Sequence, residues 1–172
     1  DVKLSEDLKE NLFNKKLIDQ TMLAICENAF EIVKKNDTET AYNKYLEFYK
    51  LGNEKVTKKV IQNRNKVSYQ TALEMNSVDS FQDFIDKYPE AEEVPLAIEN
   101  RDILAFAISS KKHTIQTYKS FIKKYPNAKQ VSEAWDHIYD IDFDKAKSVN
   151  KASAYYDHMD AYAKSSHYDE AL

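Results

Sequence analysis

The sequence predicts an all-α solenoid built from antiparallel helix pairs, and three observations lead to this fold class. The 172 residues include one Gly and three Pro, fewer than a turn-rich β-sandwich or a glycine-based phosphate loop requires. Apolar residues recur at helical spacing, and no segment alternates apolar and polar residues over a useful length. Similar segments also return about every 37 residues, as they do in helical-repeat architectures.

The repeat is clearest in two segments that lie 37 residues apart. Residues 84–91 read Phe-Ile-Asp-Lys-Tyr-Pro-Glu-Ala, and residues 121–128 read Phe-Ile-Lys-Lys-Tyr-Pro-Asn-Ala. The same shift keeps the size and polarity class of most residues on either side, as at Tyr69, Phe106 and Phe143. Because the agreement extends over several units, we take the 37-residue segment as the basic unit of the fold.

An earlier copy extends the repeat toward the N-terminus. Tyr42 and Tyr45 match Phe81 and Phe84 at a shift of 39 residues, and the length difference fits near Gly52, in a loop where it costs little. We therefore predict a single helical-repeat domain over residues 1–172, composed of a degenerate first unit at 1–36, repeat units at about 37–75, 76–112 and 113–149, and a partial unit at 150–172.

The last unit is incomplete. Residues 165–172 match the opening of a long helix, and Asp169-Glu170-Ala171-Leu172 is not the polar cap that closes a natural solenoid. We therefore expect this chain to be a fragment of a longer protein.

The first unit contains a long helix whose start is ambiguous. From about Lys16 to Lys35 this helix is expected to pack through an apolar face made of Ile18, Met22, Ile25, Ala29 and Val33. Ser5 would cap a separate short helix that carries Leu4, Leu8 and Leu12. A break near Asn14 would separate the two helices, and without that break one helix continues through both.

Each later unit begins with a short helix, which is clearest from Thr114 to Tyr125. Asp, Asn, Ser and Thr accept hydrogen bonds from the N–H groups of a first helical turn. The expected helix starts are Asp37-Thr38, Asn76-Ser77, His113-Thr114 and Asn150-Lys151. Pro89 and Pro126 disfavour helical geometry in the residue before them, so we expect two of these helices to end there.

A long helix follows in each unit, from Gln130 to Val149 in one and at Val56 to Met75 and Val94 to Lys111 in its counterparts. Its broad apolar face predicts that it is covered on more than one side. Across both helix types we expect eight side chains to be mostly buried, namely Phe84, Phe121, Ile85, Ile122, Tyr88, Tyr125, Ile98 and Trp135.

Composition and charge exclude several functional classes. The formal net charge of −4 is not the basic footprint of a nucleic-acid binder, so we assign the aromatic residues to core packing and expect no nucleic-acid partner. No apolar run approaches the roughly 20 residues that span a bilayer, so membrane insertion by this segment is not expected. The single Cys26 excludes an intramolecular disulfide and a four-Cys zinc site and is expected to be a small core residue. We expect no cofactor and no metal.

These units resemble the tetratricopeptide-like (TPR-like) repeat. A capped short helix of the form aromatic-x-x-Phe-Ile-x-Lys-Tyr-Pro, followed by Asn-Ala and a long helix, is similar to the variant in bacterial envelope proteins, including outer-membrane assembly lipoproteins; the clearest match is Thr114 to Trp135. The resemblance implies stacked α-hairpins in a right-handed superhelix, a groove that binds peptides or partner domains, a location in the bacterial periplasm or cell envelope, and no catalytic residue. The common unit has about 34 residues, so the longer unit here implies a different curvature.

In that family each unit consists of two helices, and the first of them lines the groove. The units of this chain are counted here from the short helix, but the helix that corresponds to the family's first helix is the long one. Five side chains on long helices are therefore candidate partner-binding residues: Asn63, Asn100, His137, Asp140 and Asp144. Asn63 and Asn100 share one repeat position, and an Asn side chain can both donate to and accept from a peptide backbone. Asp140 and Asp144 continue a column from Asp136 that would receive a basic segment. For the asparagine pair and for the acidic column alike, the favoured interpretation is that the side chains face water and bind no partner.

Two histidines raise other possibilities. His137 and Asp140 would place two metal ligands on one helix face, but the sequence lacks a further Glu-x-x-His motif, which favours a solvated surface. His158 stands where the repeat has Phe84 and Phe121. A buried imidazole there would titrate near neutral pH, whereas weaker burial of the last unit is the favoured explanation.

The leading functional hypothesis is a non-catalytic protein–protein interaction scaffold that binds a peptide or partner domain along the solenoid groove. The alternative is a purely structural spacer or docking module for a missing neighbouring domain. A helical enzyme or metal protein is the third and least favoured hypothesis.

Overall fold

The computed structural model describes residues 2–49 and 52–172, with side chains described from residue 14 onward. All regular elements in this part of the chain are α-helices, and successive helices pack in adjacent pairs. Their bounds are α1 Val2–Asn36, α2 Glu39–Phe48, α3 Glu54–Met75, α4 Val78–Lys87, α5 Val94–Lys112, α6 Ile115–Lys124, α7 Val131–Val149, α8 Ala152–Ala161 and α9 Tyr168–Ala171. The all-α fold class is therefore confirmed for the described residues.

The short and long helices predicted after residue 36 are observed with bounds that differ by at most two residues from those expected. The ambiguity in the first unit is resolved in favour of one helix, because Asn14 and Ser5 both lie inside α1. The expected packing of Leu4, Leu8 and Leu12 falls outside the described side chains.

The connections into the short helices follow from the predicted caps. Thr38 and Thr114 accept hydrogen bonds from the N–H groups of Ala41 and Thr117, each at 3.2 Å, and Ser77 does the same for Ser80. Lys151 occupies the fourth cap position without a side-chain bond. The residue before each cap reverses the chain with a left-handed φ between 43° and 50°, and these four residues are Asp37, Asn76, His113 and Asn150. Asn, Asp and His are enriched in this region of backbone space.

The connections into α5, α7 and α9 share one pattern of backbone bonds. Tyr88 N–H donates to Phe84, Ala91 N–H to Tyr88, and Val94 N–H to Ala91, over 2.9–3.1 Å. The same three bonds recur at Tyr125, Ala128 and Val131, and again at Tyr162, Ser165 and Tyr168. The prolines act as predicted, since the short helices α4 and α6 end just before the residues that precede Pro89 and Pro126.

The chain divides into two compact units, one containing Asp1–Met75 and Phe84–Val94 and the other Asn76–Asp83 and Pro95–Leu172, so the boundary falls inside α4. The first unit has a core that joins α1, α2 and α3, made of Cys26, Phe30, Tyr42, Tyr45, Val56 and Val60. Cys26 is fully buried, as predicted. Tyr45 fixes α2 to α1 by donating to the Cys26 carbonyl at 3.2 Å.

The predicted apolar face of α1 is wrong in detail. Ile18, Met22 and Ile25 are exposed, whereas Cys26 and Phe30 pack against α2 and α3, with Ala29 and Val33 beside them. Each residue turns the helix by about 100°, so a face chosen one residue away from the true one points in a different direction.

The second unit has one core joining α5, α6 and α7, made of Ala105, Tyr118, Phe121, Tyr125, Ala128, Ala134 and Ile138, and a smaller one of Phe143, Met159 and Ala171. Of the eight predicted core residues, Phe84, Tyr88, Phe121 and Tyr125 are buried, and Ile85, Ile122 and Trp135 are half-buried.

The prediction for Ile98 is wrong, because this side chain is 37% exposed. The fully buried residue at this point of α5 is its neighbour Ala97, and the equivalent residue of α7 is Ala134. The small side chains of Ala97 and Ala134 let neighbouring helices approach closely. The larger residue that follows each alanine points toward the outer edge of the helix contact.

Candidate partner-binding surface

The predicted partner-binding residues all lie on long helices. Asn63 lies on α3 in the first compact unit and is half-buried. Asn100 lies on α5 in the second unit, and His137, Asp140 and Asp144 lie on α7 in the same unit. The structure thus assigns the five residues to two separate units, and each is described within its own.

Asn100 is half-buried, and its side-chain amide donates to the Leu96 carbonyl one turn earlier, at 3.0 Å. On the same face of α5, Leu96 and Ile103 are 53% and 45% exposed, and Ala107 is exposed one turn further on. These residues form an apolar strip around Asn100, which we call the α5 strip (Leu96, Asn100, Ile103 and Ala107).

Asn100 was predicted from the sequence, whereas its apolar neighbours Leu96, Ile103 and Ala107 were not. Their spacing of seven and four residues was visible in the sequence, yet such spacing is more typical of a core face. The equivalent positions of the other long helices carry polar residues, namely Lys59, Asn63, Lys66 and Gln70 on α3 and Glu133, His137, Asp140 and Asp144 on α7. The α5 strip is therefore specific to one helix.

His137 is half-buried and lies against a group of rings. Its imidazole is stacked near Tyr118, with ring centroids 5.1 Å apart, and near Phe106 at 6.2 Å. His113 approaches it edge-on at 5.6 Å and bonds through Nδ1 to the Tyr118 hydroxyl at 2.9 Å. His137 is therefore solvated on one side only, because Phe106 of α5 and Tyr118 of α6 lie against the other.

The acidic column already has basic partners within the chain. Asp140 Oδ1 lies 2.7 Å from Nε2 of His167, and Asp144 Oδ1 lies 2.8 Å from Nζ of Lys147. The hydrogen bond and charge of Lys147 lower the pKa of the Asp144 carboxyl, with a smaller contribution from His167. A basic partner segment would have to compete with these contacts.

A pocket of about 250 Å³ lies beside the start of α5. Its lining includes Pro95, Ile98, Glu99, Asp102, Lys129 and Gln130. Oε1 of Gln130 is buried and accepts no hydrogen bond from any described residue. Asp102 is 5% exposed and accepts from Arg101 at Oδ1, at 2.7 and 2.9 Å. An unpaired buried acceptor costs free energy unless a donor reaches it.

Asp142, His158 and Ser165 form a polar triad that the sequence did not reveal, in which His158 and Ser165 are buried and Asp142 is half-buried. His158 Nδ1 lies 2.9 Å from Asp142 Oδ2, and His158 Nε2 lies 3.0 Å from Ser165 Oγ. His158 is 1% exposed, so the expected weaker burial of this residue is wrong. The signal for the triad was in the repeat alignment, where these three positions correspond to Ala105, Phe121 and Ala128.

The carboxylate, imidazole and hydroxyl of the triad are linked in the same order as in a serine hydrolase. The surroundings of the triad nevertheless favour a structural role. The Ser165 oxygen also accepts the N–H of His167 at 3.1 Å, and its residue is 7% exposed. All three groups replace apolar core residues of the preceding unit. The three side chains therefore satisfy one another's hydrogen-bonding groups at positions where the preceding unit makes an apolar contact.

Among the described residues, no group of three or more His, Cys, Asp or Glu side chains is placed to hold a metal ion. Within the same part of the chain, none of the helices combines the length and apolar character needed to cross a membrane. No protein-family model matches the sequence, and a comparison with curated proteins found no match.

Proposed function

We propose that this chain is a non-catalytic interaction scaffold, a TPR-like α-solenoid of roughly 37-residue helix pairs that binds a peptide segment of a partner protein along its long helices. The observation that carries the proposal is the α5 strip. It places exposed apolar side chains around a half-buried Asn on a helix whose opposite face is in the core.

The recurring connections support the repeat on which the proposal rests. Left-handed residues precede each short helix, and the same three backbone bonds precede each of α5, α7 and α9. Repeated local geometry of this kind is expected when one supersecondary unit is copied along the chain.

A repeated side-chain contact adds to this support. The Arg64 guanidinium lies 4.2 Å from the Tyr88 ring centre, and the Arg101 guanidinium lies 4.9 Å from that of Tyr125. Each arginine also donates to the side chain that follows it, at Asn65 Oδ1 and Asp102 Oδ1. The two contacts lie 37 residues apart in sequence.

The variation between units supports a binding role for the outer face. Most aromatic core positions keep their chemistry from unit to unit, as at Phe81, Tyr118 and Tyr155, whereas the positions equivalent to the α5 strip change from apolar to basic, polar or acidic. In repeat proteins such a divided pattern separates the residues that build the solenoid from those that select a partner. A bound peptide would lay apolar side chains against Leu96 and Ile103 and exchange backbone hydrogen bonds with Asn100.

The test is selection of peptides from a random phage-displayed library on the full chain, followed by affinity measurement with fluorescence anisotropy. The Leu96→Asp/Ile103→Asp variant should weaken the selected peptides by about tenfold or more, corresponding to roughly 1.4 kcal/mol. Asn63→Ala and Asn100→Ala should each weaken binding less.

The matched control is Ile108→Asp, which changes an exposed apolar residue on another face of the same helix and should leave affinity unchanged. Circular dichroism checks that each variant remains helical. Failure to select any peptide, or equal losses in the strip and control variants, would contradict the proposal and leave the structural-spacer alternative.

A further inference from the structure

The first compact unit contains a complete binding site for one carboxylate. Glu39 is the first residue of α2, and its carboxylate pairs with Lys87 and accepts from the Tyr88 hydroxyl at 2.8 Å. The Ser68 hydroxyl on α3 donates to it as well. A long helix and the short helix that follows it thus supply three donors to one acidic side chain.

The second compact unit repeats the lysine and the tyrosine of this site. Lys124 and Tyr125 stand 37 residues after Lys87 and Tyr88. Nζ of Lys124 lies 5.3 Å from the centre of the Tyr125 ring, and the corresponding distance for Lys87 and Tyr88 is 5.5 Å. In both units an arginine guanidinium also lies over the tyrosine ring. The second unit therefore holds the same two donors in a similar arrangement.

The carboxylate is not repeated with them. The first residue of α4, which corresponds to Glu39, is Val78, and it packs against the core of the second unit. Among the described residues, no carboxylate pairs with Lys124 and no group forms a hydrogen bond with the Tyr125 hydroxyl. The Tyr125 oxygen is not one of the fully buried atoms that lack a partner, so a ligand can reach it.

Both donors line a pocket of about 270 Å³, which we call the α5–α6 pocket; its lining includes Ala105, Ile108, Lys112, Phe121, Lys124 and Tyr125. Lys112 brings a second ammonium group to the pocket, and no Asp or Glu lies in its lining. Ile108 and Phe121 offer apolar surface to the methylene groups of an entering side chain. The pocket thus combines positive charge, a hydroxyl donor and an apolar wall.

The charge of the surrounding segment favours an acidic ligand. Residues 103–132, which form most of α5, all of α6 and the start of α7, contain six lysines and no Asp or Glu, although the chain as a whole has a net charge of −4. Such a segregation of charge creates a positive local potential that attracts anions.

The neighbouring pocket of the same unit lacks these properties. The pocket between α7 and α8 is lined by residues 37 positions further along, with two carboxylates and one lysine (Asp142, Asp157 and Lys145). Ala161 stands there in place of Lys124. The positively charged form of the pocket therefore belongs to α5 and α6 and is not a general consequence of the repeat.

We infer that the α5–α6 pocket binds a side-chain carboxylate from an acidic segment of a partner protein. Lys124 pairs with this carboxylate and the Tyr125 hydroxyl donates to it, as Lys87 and Tyr88 do for Glu39. The pocket lies on a different face of α5 from the α5 strip, because Ala105 is turned by about 200° from Ile103. The inference therefore goes beyond the proposed function and does not depend on it.

The experiment is a titration of the full ¹⁵N-labelled chain with Nα-acetyl-glutamate amide, followed by NMR. Saturable shifts are expected in the second half of α5 and in α6. Nα-acetyl-glutamine amide has nearly the same shape without the charge and should bind about fivefold more weakly. Added salt should weaken the glutamate probe, because it screens the charge of an exposed lysine.

Two variants remove one donor each. Lys124→Gln and Tyr125→Phe should each weaken the glutamate probe by about threefold or more, and Tyr125→Phe keeps the buried ring in place. The matched control is Lys123→Gln, which removes an exposed charge from the adjacent residue outside the pocket lining and should change the affinity less.

A third variant places the missing carboxylate inside the chain. Val78→Glu puts a glutamate at the position that corresponds to Glu39, and it should abolish probe binding by pairing with Lys124 itself. Val78→Leu changes the size of the side chain without adding charge and should leave binding largely intact. Circular dichroism checks that both variants remain helical.

The inference is overturned if no saturable shift occurs, if the glutamine probe binds as well as the glutamate probe, or if Lys123→Gln weakens binding as much as Lys124→Gln does. Leu96→Asp/Ile103→Asp should bind the glutamate probe normally, whereas Ile108→Asp should weaken it by placing a carboxylate in the pocket wall. Peptides held by the α5 strip should respond to these two variants in the opposite way, so the two sites can be told apart.

Discussion

At the scale of single residues, the triad of Asp142, His158 and Ser165 shows how polar side chains are accommodated beside the core of Phe143 and Met159. His158 takes the place of a phenylalanine, and each ring nitrogen finds a partner, in Asp142 and Ser165. The ring centroids of Phe143 and Tyr162 lie 5.4 and 5.7 Å from the centroid of the His158 imidazole. A polar ring is therefore accommodated in the core because each of its two nitrogens has a hydrogen-bond partner.

We expect single changes in the triad to destabilise the protein and the combined change to restore stability. Asp142→Ala leaves Nδ1 of the buried His158 without its partner, and His158→Phe removes a hydrogen-bond partner from both Asp142 and Ser165; each change alone should cost about 1–3 kcal/mol. The combined variant Asp142→Ala/His158→Phe/Ser165→Ala reproduces Ala105, Phe121 and Ala128 of the preceding unit and should match or exceed the starting stability.

Urea unfolding followed by circular dichroism measures these differences. If the triple variant loses as much stability as its single changes combined, the three groups do not act as one interchangeable unit.

At the scale of elements, Glu39 ties three helices of the first unit together. It lies in the first turn of α2, pairs with Lys87 at the end of α4, and accepts from the Tyr88 hydroxyl at 2.8 Å. Burial alone would raise the pKa of Glu39, but hydrogen bonds from Lys87, Tyr88 and Ser68 outweigh it and hold the pKa below its usual value of 4.5. The ionised carboxylate is therefore the form that stabilises the fold.

The sign of the pH dependence follows from this lowered pKa. Stabilisation by Glu39 is fully present above the ordinary carboxyl pKa and is lost as the pH falls through the lower pKa of the folded state. We expect the free energy of unfolding to drop between about pH 5 and pH 3, and to drop less steeply in Glu39→Gln.

Lys87→Met should also make the free energy of unfolding depend less steeply on pH, because it removes the partner that lowers the Glu39 pKa most. The measurement is urea unfolding at a series of pH values. If both variants lose stability with falling pH as steeply as the original protein, other carboxyl groups dominate acid unfolding.

At the scale of the whole molecule, each compact unit has a core of its own. The cluster around Phe121 and Tyr118 belongs to the second unit, and the cluster around Cys26 and Tyr42 belongs to the first. In the helical-repeat architecture proposed above, each helix pair is stabilised mainly by the neighbouring pairs, so damage to one core need not spread along the whole chain.

We expect Phe121→Ala to cost about 3–5 kcal/mol and to act locally. Hydrogen exchange measured by mass spectrometry should speed up in α6 and α7 while α1 to α3 keep most of their protection. Ile122→Ala, at the half-buried neighbouring position, should cost less. Equal acceleration along the chain would mean that the protein unfolds as one cooperative body, and a loss below about 1 kcal/mol would mean that Phe121 is not a core residue.

Local features of this protein could be read from its sequence. Helix bounds, the caps at Thr38 and Thr114, and the helix ends before Pro89 and Pro126 follow from interactions within a few residues of the chain. The burial of Phe121 and Tyr125 followed from helical periodicity and from their return in the repeat. The candidate surface was found only in part, because Asn100 was identified and the exposure of Leu96 and Ile103 was not.

Tertiary structure decided which face of each helix is covered and which polar groups meet. The apolar arc of α1 extends beyond the part that packs, so the sequence could not distinguish Ile25 from its buried neighbour Cys26. The partners of His158 lie 16 residues before it and 7 residues after it, and only the packing of α7, α8 and the following connection brings them together. Periodicity specifies that a residue lies on a face; contact also depends on the position of the neighbouring helix, which is set by the whole set of packed side chains.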